Sequence, residues 1–419
     1  MNDAIEKTIL KARDIRAETI RRYSKTAKTI VVLSVNMPGA MKNTPHGAYL
    51  LRQFSKVVCD TFDATLINRH ESDAGDYDVF ETSWDAKHVK TLCLDIEDQI
   101  PLGRFIDLDV HTQGGAFSRA MLGVPERRCF VCDDMARQCA RTKKHRLSVL
   151  RETLNEHVEA MIASTLESMV TEALRCELEL TPKLGLVSLE DSGAHDDMDA
   201  SHFHASIDAL APFFKAFAEA GFIEPINLES LRNLGMRAEK AMFEATGGVN
   251  THKGAIFCFG AVLPFAARGV LHGESLESII HLTATQSKTL VEADFESLMQ
   301  SEAATAGEHI YKTYGFKGVR AEVASGFKSI FAWYPDDNPY RALVNIIARA
   351  EDTTVINRHG IGMLRALQQD MRALLEASKF DDNLYAVISD KYKNANVSPG
   401  GAADLLALSF FFDRFTKIL

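Results

Sequence analysis

Leu147-Ser148-Val149-Leu150-Arg151-Glu152-Thr153-Leu154-Asn155-Glu156-His157-Val158-Glu159-Ala160-Met161-Ile162-Ala163-Ser164-Thr165-Leu166 is the stretch in which the chain changes character. Leu147, Leu150, Leu154, Val158, Met161 and Leu166 recur at helical spacing and predict one buried stripe on a polar helix. Toward the N-terminus the pattern is mixed. Residues 4–28 carry Ile9, Leu10, Ile15 and Ile20 at helical spacing, and Thr29–Val35 reads as a strand broken by Asn36-Met37-Pro38-Gly39. A second helical stretch follows near Gly47–Cys59, with short apolar runs at Ala64–Ile67, Val89–Leu94 and Phe105–Val110. This half predicts an α+β domain.

Toward the C-terminus nearly every periodic segment has helical period and length, among them Phe203–Ala220, Leu228–Glu244 and Ile256–Arg268. That half predicts an all-α helical domain. A chain of 419 residues exceeds one ordinary core. Two domains are expected, 1–155 and 156–419. No Pro/Gly/Ser-rich linker separates them, which puts the boundary inside a connecting helix around residues 148–160.

Composition narrows the class. Apolar content of 46% and charged content of 25% are those of a globular protein. No uninterrupted apolar run approaches the ~20 residues that span a bilayer. Met1–Lys28 is charged and lacks a signal-peptide core, so neither export nor membrane insertion is expected. Seven cysteines, an odd number, suit a reducing cytoplasm. Residues 1–150 carry 23 Lys+Arg against 20 Asp+Glu, and the remainder 24 against 37. The first half is thus mildly basic within an acidic chain of net charge −10. That suits an acidic protein or polyphosphate partner, or simply solubility, and gives no reason to expect nucleic acid.

Gly103-Arg104-Phe105-Ile106-Asp107-Leu108-Asp109-Val110 carries the chemistry of the first half. In a strand, i and i+2 share a face, so Asp107 and Asp109 point together. Such a pair can hold Mg²⁺ against a substrate polyphosphate, or be two acids on a solvent-facing strand. Arg104, Arg119, Arg127 and Arg128 add possible phosphate contacts. Cys129-x2-Cys132-x6-Cys139-x5-His145 offers four zinc ligands, but the two close ligand pairs of a zinc finger are absent. Buried thiols are the reading that this spacing favours, and zinc is not expected.

In the second half, polar clusters interrupt the helices: Thr181-Pro182-Lys183, Gly193-Ala194-His195-Asp196-Asp197, Arg232 with Gly235 and Glu239, Asn250-Thr251-His252-Lys253-Gly254, Gly318-Val319-Arg320-x-Glu322, Asp352-Thr353 with Arg358-x-Gly360, and Ser398-Pro399-Gly400-Gly401-x-Ala403-Asp404. Any one of them can be a cap or a loop. Jointly they suit phosphates at helix N-termini and carboxylates on Mg²⁺.

These motifs carry two resemblances. Leu33–Gly39 with Lys42, Gly103-Arg104-x-x-Asp107-x-Asp109-Val110, Ser118-Arg119 and the Arg128–His145 tail resemble the apo-citrate lyase phosphoribosyl-dephospho-CoA transferases. Ala40 stands where that family usually has a second proline. Residues 165–419 resemble the triphosphoribosyl-dephospho-CoA synthases, with Leu184 where a proline is usual and Ser188 where an aspartate is common. The resemblance implies a nucleotidyltransferase-type α+β domain and a helical synthase domain. The synthase would join ATP to 3′-dephospho-CoA with release of adenine. The transferase would then pass the product to a serine of the apo acyl-carrier (γ) subunit of citrate lyase, releasing pyrophosphate.

It further implies Asp107 and Asp109 as catalytic Mg²⁺ ligands, with Asn36, Lys42, Arg104 and Arg119 toward substrate. In the synthase, Asp197 and Glu322 are candidates for Mg²⁺ or the reacting carbon. His195 and His252 are candidates for proton transfer. Lys183, Asn250, Lys253, Arg320 and Arg358 are candidates for binding substrate phosphates. Two alternatives stay open: the same chemistry for malonate decarboxylase, and a first half that only docks the carrier protein.

Overall fold

The computed structural model describes residues 2–132, 134–300, 302–303, 305–376 and 380–419. The chain divides into two compact units at Met161/Ile162. The first is α+β. Its strands are β1 (Thr29–Val35), β2 (Thr65–His70), β3 (Tyr77–Thr82), β4 (Ile106–Thr112) and β5 (Gly115–Phe117). They form one antiparallel sheet in the order β2-β3-β1-β4-β5, with the apolar run Thr29–Val35 at its centre. Helix α1 (Asn2–Tyr23) closes one face, where Ile20 packs with Ile30, Val32, Tyr77 and Val79. Helices α2 (Pro45–Phe62) and α3 (Ala86–Gln99) also pack on the sheet.

The apolar run Val89–Leu94 lies within α3. Asp85 decides this locally, because its carboxylate accepts the backbone N–H of Lys87 and His88 and so caps a helix. The short helix α4 (Ala136–Thr142) follows, then α5 (Leu147–Glu179), which runs from the first unit into the second. Leu154, Val158 and Leu166 of its stripe are buried, whereas Leu147 at its start is 46% exposed.

The second unit is all helical: α6 (Ala200–Glu219), α7 (Leu228–Ala245), α8 (Lys253–His272), α9 (Leu276–Gln300), α10 (Ala306–Tyr314), α11 (Val319–Ala324), α12 (Lys328–Phe331), α13 (Pro339–Ile347), α14 (Thr353–Glu376), α15 (Asp382–Asn394) and α16 (Gly400–Phe415). Helix α8 is the hub, touching α6, α7, α9, α11 and α16. Phe259 on α8 meets Phe214 and Phe411 edge to face, with ring centroids 5.6 Å apart in each pair. Among the described residues, α8 is the one helix long and apolar enough to cross a membrane. Its burial inside the unit accounts for that composition.

Candidate functional site

In the first unit the register pairs Ser34 with Asp107 and Val32 with Asp109, so both carboxylates lie on the face that α1 partly covers. Strand β5 pairs with β4 only from Val110 onward. Before that point α3 satisfies the open edge: the Lys90 ammonium donates to the Leu108 carbonyl at 2.7 Å, and Glu97 accepts the Leu108 N–H at 2.7 Å. Asp107 and Asp109 line a cavity of about 390 Å³ together with Lys90, Glu97, Arg119 and Arg127.

Arg127 holds the group together. Its guanidinium lies 2.7 Å from both Asp107 and Glu97 and donates to the Ile106 carbonyl at 2.8 Å. Arg16 reaches in from α1, donating to Ser34 Oγ at 3.0 Å and lying 4.0 Å from Asp109. Burial pushes the Asp107 carboxyl above its ordinary range, against the pull of Arg127, and the neighbouring Asp109 charge pushes the same way. Two carboxylates crowded on an open face form an oxygen donor set that fits Mg²⁺.

The other expected residues of this half are placed differently. Arg119 forks onto Asp98 and Glu97 at 3.1 Å and so reaches the cavity already paired. Arg104 donates to the carbonyls of Arg128 and Cys129 at 3.0 and 2.9 Å. Lys42 donates to the Met37 carbonyl at 2.5 Å, and Asn36 is exposed at the end of β1, its N–H on the Phe105 carbonyl at 2.8 Å.

The sequence spacing favoured separate buried thiols, yet the fold gathers Cys129, Cys132, Cys139 and His145. Their ligand atoms all lie within 4.8 Å of one another.

In the second unit a cleft of about 580 Å³ collects most of the polar clusters. His195, Asp197, Asn250, His252, Lys253, Arg320 and Arg358 all line it. Helices α8, α14 and α16 begin at its wall, presenting the positive ends of their dipoles. Lys253, Lys317, Arg320 and Arg358 add four cations, and Phe203, Phe243, Phe257 and Phe295 add aromatic surface.

Each polar group is positioned by its neighbours. Asn250 Oδ1 accepts the Lys253 N–H at 3.2 Å, starting α8, and the Lys253 ammonium lies 2.9 Å from Glu239. Arg358 donates to His195 Nδ1 at 3.2 Å, which leaves His195 Nε2 as the protonated nitrogen, donating to Ser398 Oγ at 2.8 Å. Burial, helped by Arg358, lowers the His195 pKa. His252 is fully buried, bonded through Nδ1 to Ser206 Oγ at 2.7 Å, and burial pushes its pKa down to about 3. Its Nε2 has no hydrogen-bond partner among the described residues. Both imidazoles are therefore neutral near pH 7.

Two expected residues stand back from the cleft. The ammonium of Lys183 is buried against Glu177, 2.8 Å from its carboxylate and 2.8 Å from its carbonyl. The Glu322 carboxylate accepts the N–H and hydroxyl of Ser329 at 3.0 and 2.6 Å. The departure at Leu184 has a structural counterpart. Its N–H donates to Ser389 Oγ at 2.9 Å and its φ is 51°, neither of which a proline could provide.

Of the deepest acids, Asp352 and Asp404 lie in polar clusters of the sequence without a role assigned to them, and Glu177 lies in none. Glu177 and Asp404 line the cleft, and Asp352 lies behind it, accepting the N–H groups of Thr354, Val355 and Ala402 at 2.9–3.1 Å. Burial, reinforced by the charges of Glu177 and Asp352, raises the Asp404 pKa well above the ordinary carboxylate range. Asp404 belonged to a quoted motif and was legible to that extent. Glu177 sits in a regular helix with nothing local to mark it.

Comparison with known proteins matches both halves. Residues 5–161 fit the model of the apo-citrate lyase phosphoribosyl-dephospho-CoA transferase family. Residues 163–419 fit that of the ATP:dephospho-CoA triphosphoribosyl transferase family. The chain is 34% identical over 362 residues to the "Protein CitXG" of Haemophilus influenzae, covering 79% of this chain and 78% of that one. It is 36% identical over 290 residues to a probable 2-(5''-triphosphoribosyl)-3'-dephosphocoenzyme-A synthase of Streptococcus pyogenes, covering 62% of this chain and 99% of the relative. The chain is a bifunctional transferase and belongs to both families, an apo-citrate lyase phosphoribosyl-dephospho-CoA transferase fused to an ATP:dephospho-CoA triphosphoribosyl transferase.

Proposed function

We propose that the helical cleft joins ATP to 3′-dephospho-CoA, and that the aspartate face of β4 attaches the product to the apo acyl-carrier (γ) subunit of citrate lyase. The first activity belongs to residues 156–419. The second belongs to residues 1–155, acting as a nucleotidyltransferase-type domain. Reduced cysteines and soluble substrates suit the cytoplasm.

One observation carries the reading: three helix N-termini, four cations and buried carboxylates converge on one cleft with aromatic walls. Polyphosphate, purine and a developing cation all find complementary groups there. In the first reaction the 2′-hydroxyl of dephospho-CoA attacks the anomeric carbon of ATP. The bond from that carbon to adenine breaks, and the hydroxyl proton is balanced by protonation of the departing base. Lys253, Arg320 and Arg358 hold the triphosphate. Asp197 and the buried acids face the positive charge that develops on the ribose. His252 Nε2, neutral and dry, hydrogen-bonds the attacking hydroxyl or the leaving base. His195 is fixed by Ser398 and Arg358 as a neutral donor. Lys183 positions Glu177, and Glu322 positions the turn that begins at Phe327.

Asp197 and Asp404, which both line the cleft, would hold the Mg²⁺ that accompanies ATP, and the charges of Glu177 and Asp352 that raise Asp404 fit a cation there. Mg²⁺ would neutralise triphosphate charge there.

In the second reaction the carrier serine attacks the phosphorus that joins the product's pyrophosphate to its ribose 5′-oxygen. The bond to pyrophosphate breaks, and the serine proton leaves to solvent or to a phosphate oxygen. Asp107 and Asp109 would hold Mg²⁺ against that phosphate, with Arg127 orienting Asp107. The test is Asp107→Asn. It should stop carrier modification, read by mass spectrometry, while adenine release from ATP and dephospho-CoA continues at the wild-type rate. Full carrier modification in this variant would refute the assignment.

A further inference from the structure

We propose that Cys129, Cys132, Cys139 and His145 bind one zinc ion in a closed tetrahedral site. Tetrahedral zinc with Zn–S near 2.3 Å requires its sulfurs to stand about 3.8 Å apart, and sulfur and imidazole nitrogen about 3.6 Å apart. Here Cys132 Sγ lies 3.5 Å from Cys139 Sγ and 3.2 Å from His145 Nε2, and all four ligand atoms lie within 4.8 Å of one another. Movements of about 0.3–0.4 Å around an ion would bring the two Cys132 distances to the tetrahedral values.

The surroundings are those of thiolates. Val131 N–H points at Cys129 Sγ at 3.5 Å, and Cys132 accepts a backbone N–H from Asp134. Three thiolates and a neutral imidazole around a divalent ion leave one net negative charge. The Lys144 ammonium, paired with Asp134, also stands 3.5 Å from Cys132 Sγ, where it can donate to the thiolate. Cys129 and Cys139 are buried, so the ion would be covered on that side, as in a structural rather than a catalytic site.

The local fold gives such a site a purpose. Cys129 N–H donates to the Asp134 carbonyl at 2.7 Å, and Ala136 N–H donates to the Arg127 carbonyl at 2.9 Å. The loop is a small ribbon with few apolar contacts of its own, anchored by Phe130 against Phe105 at 5.2 Å. Arg127, which grips Asp107 and Glu97, lies at its root. A zinc cross-link would fix this ribbon where its apolar contacts are too few to do so. The cluster stands independently of the roles proposed for the aspartates, and its test does not use activity.

The full chain is expressed in zinc-supplemented medium, purified under reducing conditions without chelators, and analysed by elemental mass spectrometry. One zinc per chain is expected. Replacement of zinc by Co²⁺ should give thiolate-to-cobalt charge-transfer absorption with the strong d–d bands of a tetrahedral site. Cys132→Ser should lower bound zinc at least tenfold, and so should His145→Ala if the serine variant does not fold. Zinc at background in wild-type protein, together with no cobalt spectrum, would overturn the proposal. So would recovery of Cys132 and Cys139 as a disulfide in freshly purified protein.

Discussion

Gly254 is the second residue of α8, and a Cβ built on it would lie 1.9 Å from Asp404 Oδ2 and 2.9 Å from Asp404 Cγ. Ordinary contact begins at 3.4 Å, so Gly254→Ala forces the carboxylate or the start of the helix to retreat by about 1.5 Å. The Asp404 carboxylate is half-buried and held on the Ala255 N–H, which limits how far it can yield. Overpacking of this kind costs about 1–3 kcal/mol, which corresponds to a Tm lower by about 3–10 °C in a unit of this size. A displacement above 1 Å at a reacting site costs about 100-fold in rate or more. The expected result is therefore a folded protein that releases adenine about 100-fold more slowly. Carrier modification should stay normal when the triphosphoribosyl intermediate is supplied directly. Adenine would be followed by chromatography and Tm by calorimetry. If Asp404 is what the methyl group strikes, Gly254→Ala should cost little further stability in an Asp404→Ala background. Wild-type adenine release by Gly254→Ala would refute the claim that the position of Asp404 matters to the reaction.

Two other perturbations follow from the buried charges. Because Asp404 binds its proton more tightly in the folded chain than in the unfolded one, it favours folding at low pH. That contribution is lost as pH rises above the ordinary 3.8. Asp404→Asn should therefore raise Tm relative to wild type by an amount that grows as pH rises above the ordinary 3.8, while abolishing adenine release; a gain independent of pH would contradict the argument. Lys183→Met leaves Glu177 buried without its cation and should cost about 3–5 kcal/mol in urea unfolding, most of it recovered by adding Glu177→Gln. A double variant no more stable than the single one would show that the pair is not the source.

How much of this was legible follows from which signals are local. Thr29–Val35 announced β1 through a continuous apolar run ended by Pro38-Gly39, and the i, i+2 rule placed Asp107 and Asp109 on one face. Strand β3 escaped because Asp78 interrupts its apolar run. That aspartate is tolerated because Arg69, opposite it on β2, grips it at 2.6–2.8 Å and the Ser55 hydroxyl of α2 donates to it, partners that the run itself does not show. Arg119 and Lys183 look like free cations in sequence. Their partners Glu97, Asp98 and Glu177 are brought to them by helices whose packing no short motif encodes. The polar strings of the helical half were legible as a set because several of them start or precede a helix, and N-termini are where Gly, Thr, Asn and Asp accumulate. That three of those helices would begin at one cleft is a property of the bundle alone.

The central claim is that one chain makes the prosthetic group and attaches it. The most direct measurement incubates purified protein with ATP, Mg²⁺, dephospho-CoA and the apo-carrier subunit, following adenine by chromatography and the carrier by intact-mass spectrometry. The account predicts adenine release together with a carrier mass gain of one phosphoribosyl-dephospho-CoA. Carrier that stays unmodified while adenine is released would contradict the role given to the aspartate face of β4. Failure to release any adenine would contradict the role given to the helical cleft.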